Sequence, residues 1–462
     1  MNSSGLLQSA RAIAPLAWPV FIGQVSVLGF STVDTVMVAR YDALDLAALA
    51  IGGAAYITIF VGLMGVVLAI GPITGQLFGA RRMHEAGRQL HQSVWLTLGL
   101  SVIGCAVLVF PDPLLAIAQA APEVEAKVRG YLRALAFALP WALLFTAFRG
   151  FNVAVSRPKI VMTLQLGAFA AKVPLNALLV FGVSLPTPLG TLTLPAMGAP
   201  GCGVATAIVM GVQTLLAGWV LRRDAFYRLF GLGSGGLARP DRASLRELLR
   251  LGIPMGLAIG IEVSGFTFMA FFISRLGATP VAGHQIAVNM VSLMFMMPLA
   301  LANASATLVA QRVGAGDLPG ARRMGWHGLQ LGMLIAAAMG AAVYLLREPL
   351  VHAYTRDAVI VAAAMPLLGW VMLFHVADAA QTMAAFTLRA YRIATVPLII
   401  YALAIWGVGL GGGYVIAFDS FGISPPALQG AQGFWSAATA GLTVAALALS
   451  GFLAWVLRQR PA

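Results

Sequence analysis

The chain has 462 residues, of which 60% are hydrophobic and 10% are charged, and its formal net charge is +13. Soluble domains average about 25% charged residues, so this composition excludes a water-soluble protein of such length. Intrinsic disorder is excluded because it requires low hydrophobicity. The two cysteines, Cys105 and Cys202, are too few for a disulfide scaffold and lie in apolar runs, where they are expected to pack as small hydrophobes.

Twelve apolar runs are long enough to cross a bilayer, for which a helix needs about 20 residues. They predict helices at residues 14–38, 47–73, 91–111, 131–150, 160–183, 199–221, 251–274, 283–309, 326–346, 358–388, 394–418 and 430–456. None shows the alternating polarity of β-barrel strands. The first run carries Pro15 and Pro19 and no clear cleavage site follows it, so it is expected to remain as a span. The predicted fold class is an all-α membrane protein with twelve transmembrane helices.

The basic residues predict the orientation of these spans. With both termini cytoplasmic, 21 of the 29 Lys and Arg residues fall on the inner side, 7 on the outer side, and Lys172 lies within a span. This bias follows the positive-inside rule. It also accounts for the net charge without any nucleic-acid partner, and the lipid bilayer is the expected surrounding.

The chain repeats itself at an offset of 235 positions. Pro19 aligns with Pro254, and the Gln76–Ala80 stretch aligns with residues 311–315. Since each half carries six spans, both halves run the same way through the membrane, as in parallel-repeat transporters. The repeat predicts two pseudo-symmetric six-helix lobes, 1–221 and 251–462, joined by a cytoplasmic linker at 222–250.

That linker is expected to be flexible, because it contains the glycine-rich stretch Gly231–Gly236. Ser244 and Glu247 have the spacing of a capping box and predict the start of a short amphipathic helix that leads into the seventh span.

Five ionisable side chains lie within the predicted spans: Asp34, Lys172, Glu262, His375 and Asp378. A charge at mid-bilayer costs about 2.5–3.5 kcal/mol, so unpaired charges here are expensive unless they pair or serve an ion or substrate pathway. A structural ion pair between Lys172 and Asp34 is the main alternative to a functional role for those two residues. His375 alone is more typical of a packing residue.

Helical spacing brings some of these groups together. His375 and Asp378 are three residues apart, and Lys172 and Asn176 are four apart, so each pair shares a helix face. Among the apolar residues, Phe266 and Met294 are candidates to line a substrate cleft, although plain packing is favoured for the methionines. No metal-spaced Cys/His set and no Ser-His-Asp arrangement are present, so a membrane enzyme is not expected.

At these residues the chain resembles the multidrug and toxic-compound extrusion (MATE) family, in its NorM-like branch. The resemblance lies in Val33–Met37, Asp45–Ala48, Pro72–Gln76, Gly201–Ala207, Leu251–Pro254 with Glu262, His284–Ala287, Met297–Pro298, Gln311 with Gly314–Gly316, Asp378 and Leu388–Arg389. These motifs are weak singly, but their order and spacing together cover nearly the whole chain.

The resemblance implies twelve helices in two lobes around a central cleft, and export of organic, mostly cationic amphipathic compounds in exchange for Na+ or H+. It implies that Asp34 is the acid of the N-terminal lobe and that Glu262, Asp378 and Asp34 are the candidates to bind the coupling cation, with a possible oxygen-rich Na+ site at Glu262 and Asp378. The polar candidates for the substrate cleft are Asp34, Lys172, Asn176 and His375. No other cofactor is expected. Lys172 replaces an Asn, and His375 a nearby Gln, of many relatives; an ammonium beside Asp34 would compete with Na+ there.

The sequence therefore predicts a monomeric multidrug efflux antiporter of the bacterial inner membrane. The alternative from another class is a lipid-linked precursor flippase of related fold, which would need a cationic cleft for pyrophosphate. Lys172 is the only clearly basic residue within the spans, against three acids, so this alternative ranks lower. A major-facilitator carrier would usually have an Asp-Arg loop after the second span, which Gly79–His84 lacks.

Overall fold

The computed structural model describes residues 3–118, 121–187, 190–233 and 236–459. The helices of this part of the chain are α1 (Ser3–Tyr41), α2 (Ala43–Val67), α3 (Ile70–Gly79), α4 (Met83–Val109), α5 (Asp112–Ala118), α6 (Pro122–Ala154), α7 (Pro158–Phe181), α8 (Ala199–Arg223), α9 (Arg242–Ser274), α10 (Ala278–Gly314), α11 (Leu318–Leu345), α12 (Arg347–Tyr354), α13 (Ala358–Ala390), α14 (Thr395–Tyr401), α15 (Gly412–Ala417) and α16 (Ala431–Gln459). They form twelve candidate spans within the described residues, which confirms the predicted fold class.

Two of the spans are interrupted. The second consists of α2 and α3, and the eleventh consists of α14, a π-helical segment Ala402–Gly411 and α15. Short 3₁₀ turns, Ala225–Phe230 and Pro426–Leu428, lie outside the spans. Several helices run past their predicted ends, because helical hydrogen bonding continues beyond the apolar core of a span.

A β-hairpin that the sequence did not predict connects α7 to α8. Strands β1 (Val183–Thr187) and β2 (Gly190–Leu194) are antiparallel, with Val183 paired to Leu194. The apolar composition of this stretch resembles the end of a span, and a two-stranded hairpin is too short to be distinguished from it by periodicity alone.

One compact unit comprises Ile22–Gly256. Its central helix is α6, which packs against α2, α4 and α8. Leu132, Leu139 and Leu143 on α6 are fully buried and fill the space between these helices. This packing holds α8 and α7 next to each other, and the N-terminal acidic site is built on them and on α1.

The other compact unit comprises Met1–Phe21 and Leu257–Ala462. Its central helix is α13, packed against α10, α11 and α16. The chain passes from one unit to the other after residues 21 and 256, which are 235 positions apart and each follow a helix-interior proline by two residues. The division into lobes 1–221 and 251–462, which the internal repeat predicts, stays a prediction.

The expected flexibility of the linker at 222–250 stays a prediction, and Ser234 and Gly235 of its glycine-rich stretch lie outside the described residues; elsewhere the linker is held by several side-chain contacts. Tyr227 is fully buried and donates a hydrogen bond to Asn152 at 2.5 Å. Gln92 and Trp95 on α4 donate to the carbonyls of Arg239 and Ala238, at 2.9 and 2.8 Å. These contacts provide hydrogen-bond partners for the backbone carbonyls of Ala238 and Arg239, which follow the glycine-rich stretch.

The predicted capping box of Ser244 and Glu247 is wrong. The helix begins at Arg242, and Asp241 accepts hydrogen bonds from both the backbone N–H and the hydroxyl of Ser244, at 2.9 and 2.7 Å. An aspartate before the first turn is a strong N-cap, and it starts the helix earlier than the serine would. No separate amphipathic helix precedes the seventh span: α9 is continuous to Ser274.

The π-helical segment lies against α16. A Cβ atom on Gly441 would lie 2.6 Å from the carbonyl oxygen of Ala404 and 3.0 Å from the nitrogen of Gly409. Only glycine allows this approach, because any side chain at position 441 would displace the segment backbone. The wider π-turn is therefore accommodated by the missing side chain, and it forms one wall of the cavity described below. π-Turns within helices are frequent at functional sites.

Candidate functional site: two buried acidic sites

The first acidic site is built around Asp34 on α1, which is 8% exposed. The ammonium of Lys172 lies 3.0 Å from its Oδ1 and 3.1 Å from its Oδ2, and the lysine is fully buried. The amide of Asn176, one turn further along α7, donates to Oδ1. The predicted shared face of Lys172 and Asn176 is confirmed, and the ion pair proposed as the alternative for Lys172 is what the structure contains.

Two residues that sequence reasoning missed complete this site. The hydroxyl of Thr206 on α8 accepts from Lys172 and donates to the carbonyl of Cys202 at 2.8 Å. The Lys172 ammonium also lies 5.4 Å from the ring centre of Phe30, within cation–π range. Thr206 was visible as a polar residue within a span, but only the fold shows which helix it faces.

The second acidic site joins Glu262 on α9 to Asp378 on α13 through Gln381. The Nε2 nitrogen of Gln381 lies 3.2 Å from Oε1 of Glu262 and 2.9 Å from Oδ1 of Asp378. A third acceptor, the hydroxyl of Thr382, lies 3.1 Å from the same nitrogen. The two acids predicted to act together are therefore brought together by one amide.

Tyr401, at the end of α14, completes the second site. Its hydroxyl donates to Oε1 of Gln381, and both side chains are buried. Sequence reasoning missed both residues. Gln381 is detectable in retrospect because it lies three residues after Asp378 on the same helix face. Tyr401 comes from another span and gave no comparable signal.

Neither carboxylate of the second site forms an ion pair with a Lys or Arg among the described residues, although the buried Arg389 interacts electrostatically with Glu262. Arg389 follows the predicted tenth span, 358–388, by one residue; in the structure it lies in the last turn of α13, is 5% exposed, and its guanidinium lies 4.6 Å from the ring centre of Phe386.

A small apolar cavity lies beside Glu262 within the same unit. Its walls include Phe266, Phe374 and Phe434, together with residues of the π-helical segment. It holds about 40 Å³ of space for the centres of water molecules, enough for roughly three waters. The cavity exposes one carboxylate to a pocket of aromatic faces, an environment that suits a small cation.

Two other predicted site residues, Met294 and His375, are not among the residues that line this cavity. Met294 is 6% exposed and packs in the apolar core with Phe374, so plain packing accounts for it. His375 is fully buried, and neither ring nitrogen has a hydrogen-bond partner among the described residues. It shares a helix with Asp378 but is not bonded to it; at the same three-residue spacing, the amide nitrogen of Gln381 donates to Asp378.

The second site fits a monovalent cation better than a transition metal. Within the described part of the chain, no three His, Cys, Asp or Glu side chains come together. Carboxylate and hydroxyl oxygens are ligands that hard cations prefer, and the site offers the carboxylates of Glu262 and Asp378 and the hydroxyl of Thr382. The first site already contains its own cation, Lys172.

Comparison with known proteins identifies the family. The MatE family model matches residues 19–178 and 254–415, two matches that begin 235 positions apart and confirm the internal repeat. A probable multidrug resistance protein NorM of Aromatoleum aromaticum is 38% identical over 96% of this chain and 94% of its own length. The multidrug resistance protein NorM of Vibrio cholerae is 33% identical over 98% and 96%.

Solved structures share the fold. The Vibrio cholerae MATE transporter VcmN in its bent form superimposes with a TM-score of 0.85 at 17% identity, over 99% of both chains. A transporter from Pyrococcus furiosus gives a TM-score of 0.85 at 18% identity, over 100% of this chain and 99% of its own. With most of its length matched by the family model and close relatives named NorM, the protein belongs to the MATE family, in its NorM-like branch.

Proposed function

We propose that the protein is a secondary active antiporter that exports amphipathic organic cations in exchange for Na+ or H+. The observation that carries this proposal is the Glu262–Asp378 pair, a half-buried and a buried carboxylate that, within the described part of the chain, are bridged by the neutral amide of Gln381. Negative charges that are largely removed from water without a bonded counter-ion are costly, and an external cation reduces that cost. The names of the NorM relatives support the drug-efflux half of the proposal.

The coupling follows from this charge balance. A monovalent cation at the second site reduces the negative charge of the pair and changes which arrangement of the two lobes has the lower free energy. Coupling requires that substrate and cation favour different states, or that they compete for one acid. Glu262 is placed for such competition because it lines the aromatic cavity, whereas Asp378 is held deeper by Gln381.

The aromatic walls favour the same class of substrate. Phe266, Phe374 and Phe434 line the same cavity as the carboxylate of Glu262, and aromatic side chains beside a carboxylate attract organic cations. We place the protein in the bacterial inner membrane as a monomer with both termini cytoplasmic, the orientation that the distribution of basic residues supports.

The flippase alternative is not favoured. A pyrophosphate ligand needs free cationic groups, and the ammonium of Lys172 is bonded to Asp34, Thr206 and the ring of Phe30. The remaining acids of both sites would repel a pyrophosphate.

The test is efflux of ethidium from cells that express Glu262→Gln or Asp378→Asn, compared with the wild type and with Glu348→Gln. Glu348 is an exposed carboxylate on α12, outside the spans, and is the matched control. We expect efflux to fall at least tenfold in the two site variants and to stay unchanged in the control. Unchanged efflux in both site variants would defeat the proposal.

A further inference from the structure

A basic groove that the proposed transport mechanism does not use lies at the start of α9. Three arginines and the apolar side chains between them line it: Arg242, Leu245, Arg246, Leu249, Arg250 and Ile253. Its volume is about 580 Å³, within the range of about 300–1,000 Å³ that is typical of small-molecule sites. All of these residues belong to the unit Ile22–Gly256, so one compact body carries the whole groove.

The helix fixes the direction in which the arginines point. They follow one another at intervals of four residues, so their side chains form a stripe along one side of α9. The opposite side is packed into the protein, with Leu248 and Met255 only 0% and 3% exposed. The start of the helix is anchored as well, because the backbone N–H of Asp241 donates to Gln92 on α4 at 2.7 Å. The stripe therefore lies on a fixed helix face.

The three guanidinium groups of the groove are available to an anion. All three side chains are exposed, and the arginine ion pairs found among the described residues use Arg82, Arg129 and Arg157 instead. Glu247, the only acid between positions 242 and 254, is not among the residues that line the groove. A guanidinium binds phosphate oxygens through two parallel N–H donors, so the groove offers several donors suited to a phosphate.

The groove also lies at the level where the helix enters the membrane. The predicted apolar run begins directly after Arg250, and Arg242 lies about 12 Å further out along the helix. The headgroup layer of one leaflet is about 5–8 Å thick, so Arg246 and Arg250 fall within it. On the same helix face, Ile253 and Leu257 are 47% and 55% exposed and continue the groove toward the hydrocarbon core.

We infer that this groove binds the headgroup of an anionic phospholipid, with its phosphate between Arg246 and Arg250 and an acyl chain along Ile253 and Leu257. A free phosphate ion would leave the apolar walls of the groove unused, whereas a phospholipid supplies both the charge and the apolar chain. The predicted orientation places the groove in the cytoplasmic leaflet, where anionic lipids attract basic residues. The inference concerns binding alone and does not depend on the proposed transport mechanism.

The test is native mass spectrometry of the purified full-length protein with phosphatidylglycerol or phosphatidylcholine of identical acyl chains. Arg246→Gln/Arg250→Gln is compared with Arg222→Gln/Arg223→Gln, which removes the same charge from exposed arginines in the last turn of α8, on the same predicted side. From the usual contribution of an arginine near an anionic surface, we expect phosphatidylglycerol affinity to fall about 10- to 30-fold in the groove variant. A change below twofold is expected in the control, and phosphatidylcholine binding is expected to stay unchanged in both.

Three results would overturn the inference. An equal loss in the control variant would show attraction by overall charge, and no loss in the groove variant, folded by thermal unfolding, would show that the lipid binds elsewhere. Glycerol phosphate, a soluble phosphate without acyl chains, tests the source of the anion: displacement of phosphatidylglycerol at an equal concentration would show a phosphate site in place of a lipid site. The ethidium assay judges the proposed function separately, since efflux that needs Glu262 and Asp378 can stand while this groove binds no lipid.

Discussion

The two acidic sites differ in where their counter-charge comes from. In the N-terminal site the carboxylate of Asp34 is paired at 3.0 Å with Lys172, a cation supplied by the chain itself. In the C-terminal site Glu262 and Asp378 share one neutral amide and have no bonded cation among the described residues. The first site is neutral as folded, whereas the second holds two acidic side chains whose negative charge falls when a monovalent cation arrives from outside.

This difference assigns different tasks to similar residues. A buried ion pair is costly to break but roughly neutral as a unit, so Asp34 is expected to contribute mainly to the integrity of its site. Two carboxylates at one site repel each other and are poised to take up charge. The sequence alone treats Asp34, Glu262 and Asp378 alike, as acids within spans. Their bonding partners distinguish Asp34, which pairs with Lys172, from the other two, which bond Gln381.

The largest expected effect tests whether the first site is a closed pair. Asp34→Asn leaves the ammonium of Lys172 buried without its counter-ion, and Lys172→Met leaves Asp34 with the amide of Asn176 alone. Each single change is expected to cost about 3–5 kcal/mol of stability. The double variant removes both charges and is expected to recover most of that loss. Thermal unfolding in detergent measures this, and a double variant as unstable as the singles would contradict the comparison.

The next test gives the second site a built-in cation, as Lys172 does in the first site. Gln381→Lys places an ammonium next to Glu262 and Asp378, so the site carries its own cation as Asp34 does. We expect cation-driven ethidium efflux to fall at least tenfold while the protein remains folded by thermal unfolding. Gln381→Met is the control of similar size without charge. Efflux that survives the lysine would show that the second site does not need an empty pair.

A smaller effect is expected from Thr206, which supports Lys172 without carrying charge. Thr206→Val keeps the shape and removes a hydroxyl that accepts from the ammonium. Because Lys172 keeps Asp34 as a partner, the expected cost is about 1–2 kcal/mol of stability. Thermal unfolding beside Thr163→Val, whose hydroxyl bonds only its own helix in an exposed position, gives the baseline. A cost no larger than that of the control would show that the hydroxyl adds nothing to the first site.

The smallest effect comes from an ion pair at the protein surface. Arg157 and Asp224 lie 2.6 Å apart, with about a third of each side chain exposed. The backbone N–H of Phe226 is the main cause that holds the pKa of Asp224 below its ordinary value of 3.8; burial, the next largest effect, opposes it, and the hydrogen bond and charge of Arg157 lower the pKa further. A lowered pKa in the folded state means that this stabilisation is present above pH 3.8 and is lost as the pH falls through the folded value.

Asp224→Asn is therefore expected to cost less than about 1 kcal/mol at pH 7, and the difference from the wild type is expected to shrink in acid. Thermal unfolding at several pH values checks both points. A loss as large as that of Asp34→Asn would show that burial does not separate the two ion pairs.

The sequence was sufficient for those features that depend on long runs or on one helix. Twelve apolar runs predicted twelve spans, and the repeat offset from Pro19 to Pro254 reappears in the family match and in the places where the chain changes unit. Helical spacing placed Lys172 and Asn176 on one face, and both reach Asp34.

The partners from other helices were beyond the sequence. Thr206 lies 34 residues from Lys172, and Tyr401 lies 20 residues from Gln381. No periodicity in the sequence relates residues on different spans. The contacts of the linker were beyond the sequence for a related reason: Gln92 and Trp95 on α4 bond the backbone of Arg239 and Ala238 from a distant part of the chain. His375 was grouped with Asp378 by spacing, although Gln381 makes the bond.

The most direct test of the central claim is ethidium efflux from proteoliposomes with Na+ and H+ gradients imposed separately. The wild type and the Asp34→Asn/Lys172→Met double variant are compared with Glu262→Gln/Asp378→Asn. The account predicts that one of the two gradients accelerates efflux in the first two proteins and that neither gradient does so in the third. Gradient-driven efflux that persists without Glu262 and Asp378, or that disappears when only the Asp34–Lys172 pair is removed from a folded protein, would contradict it.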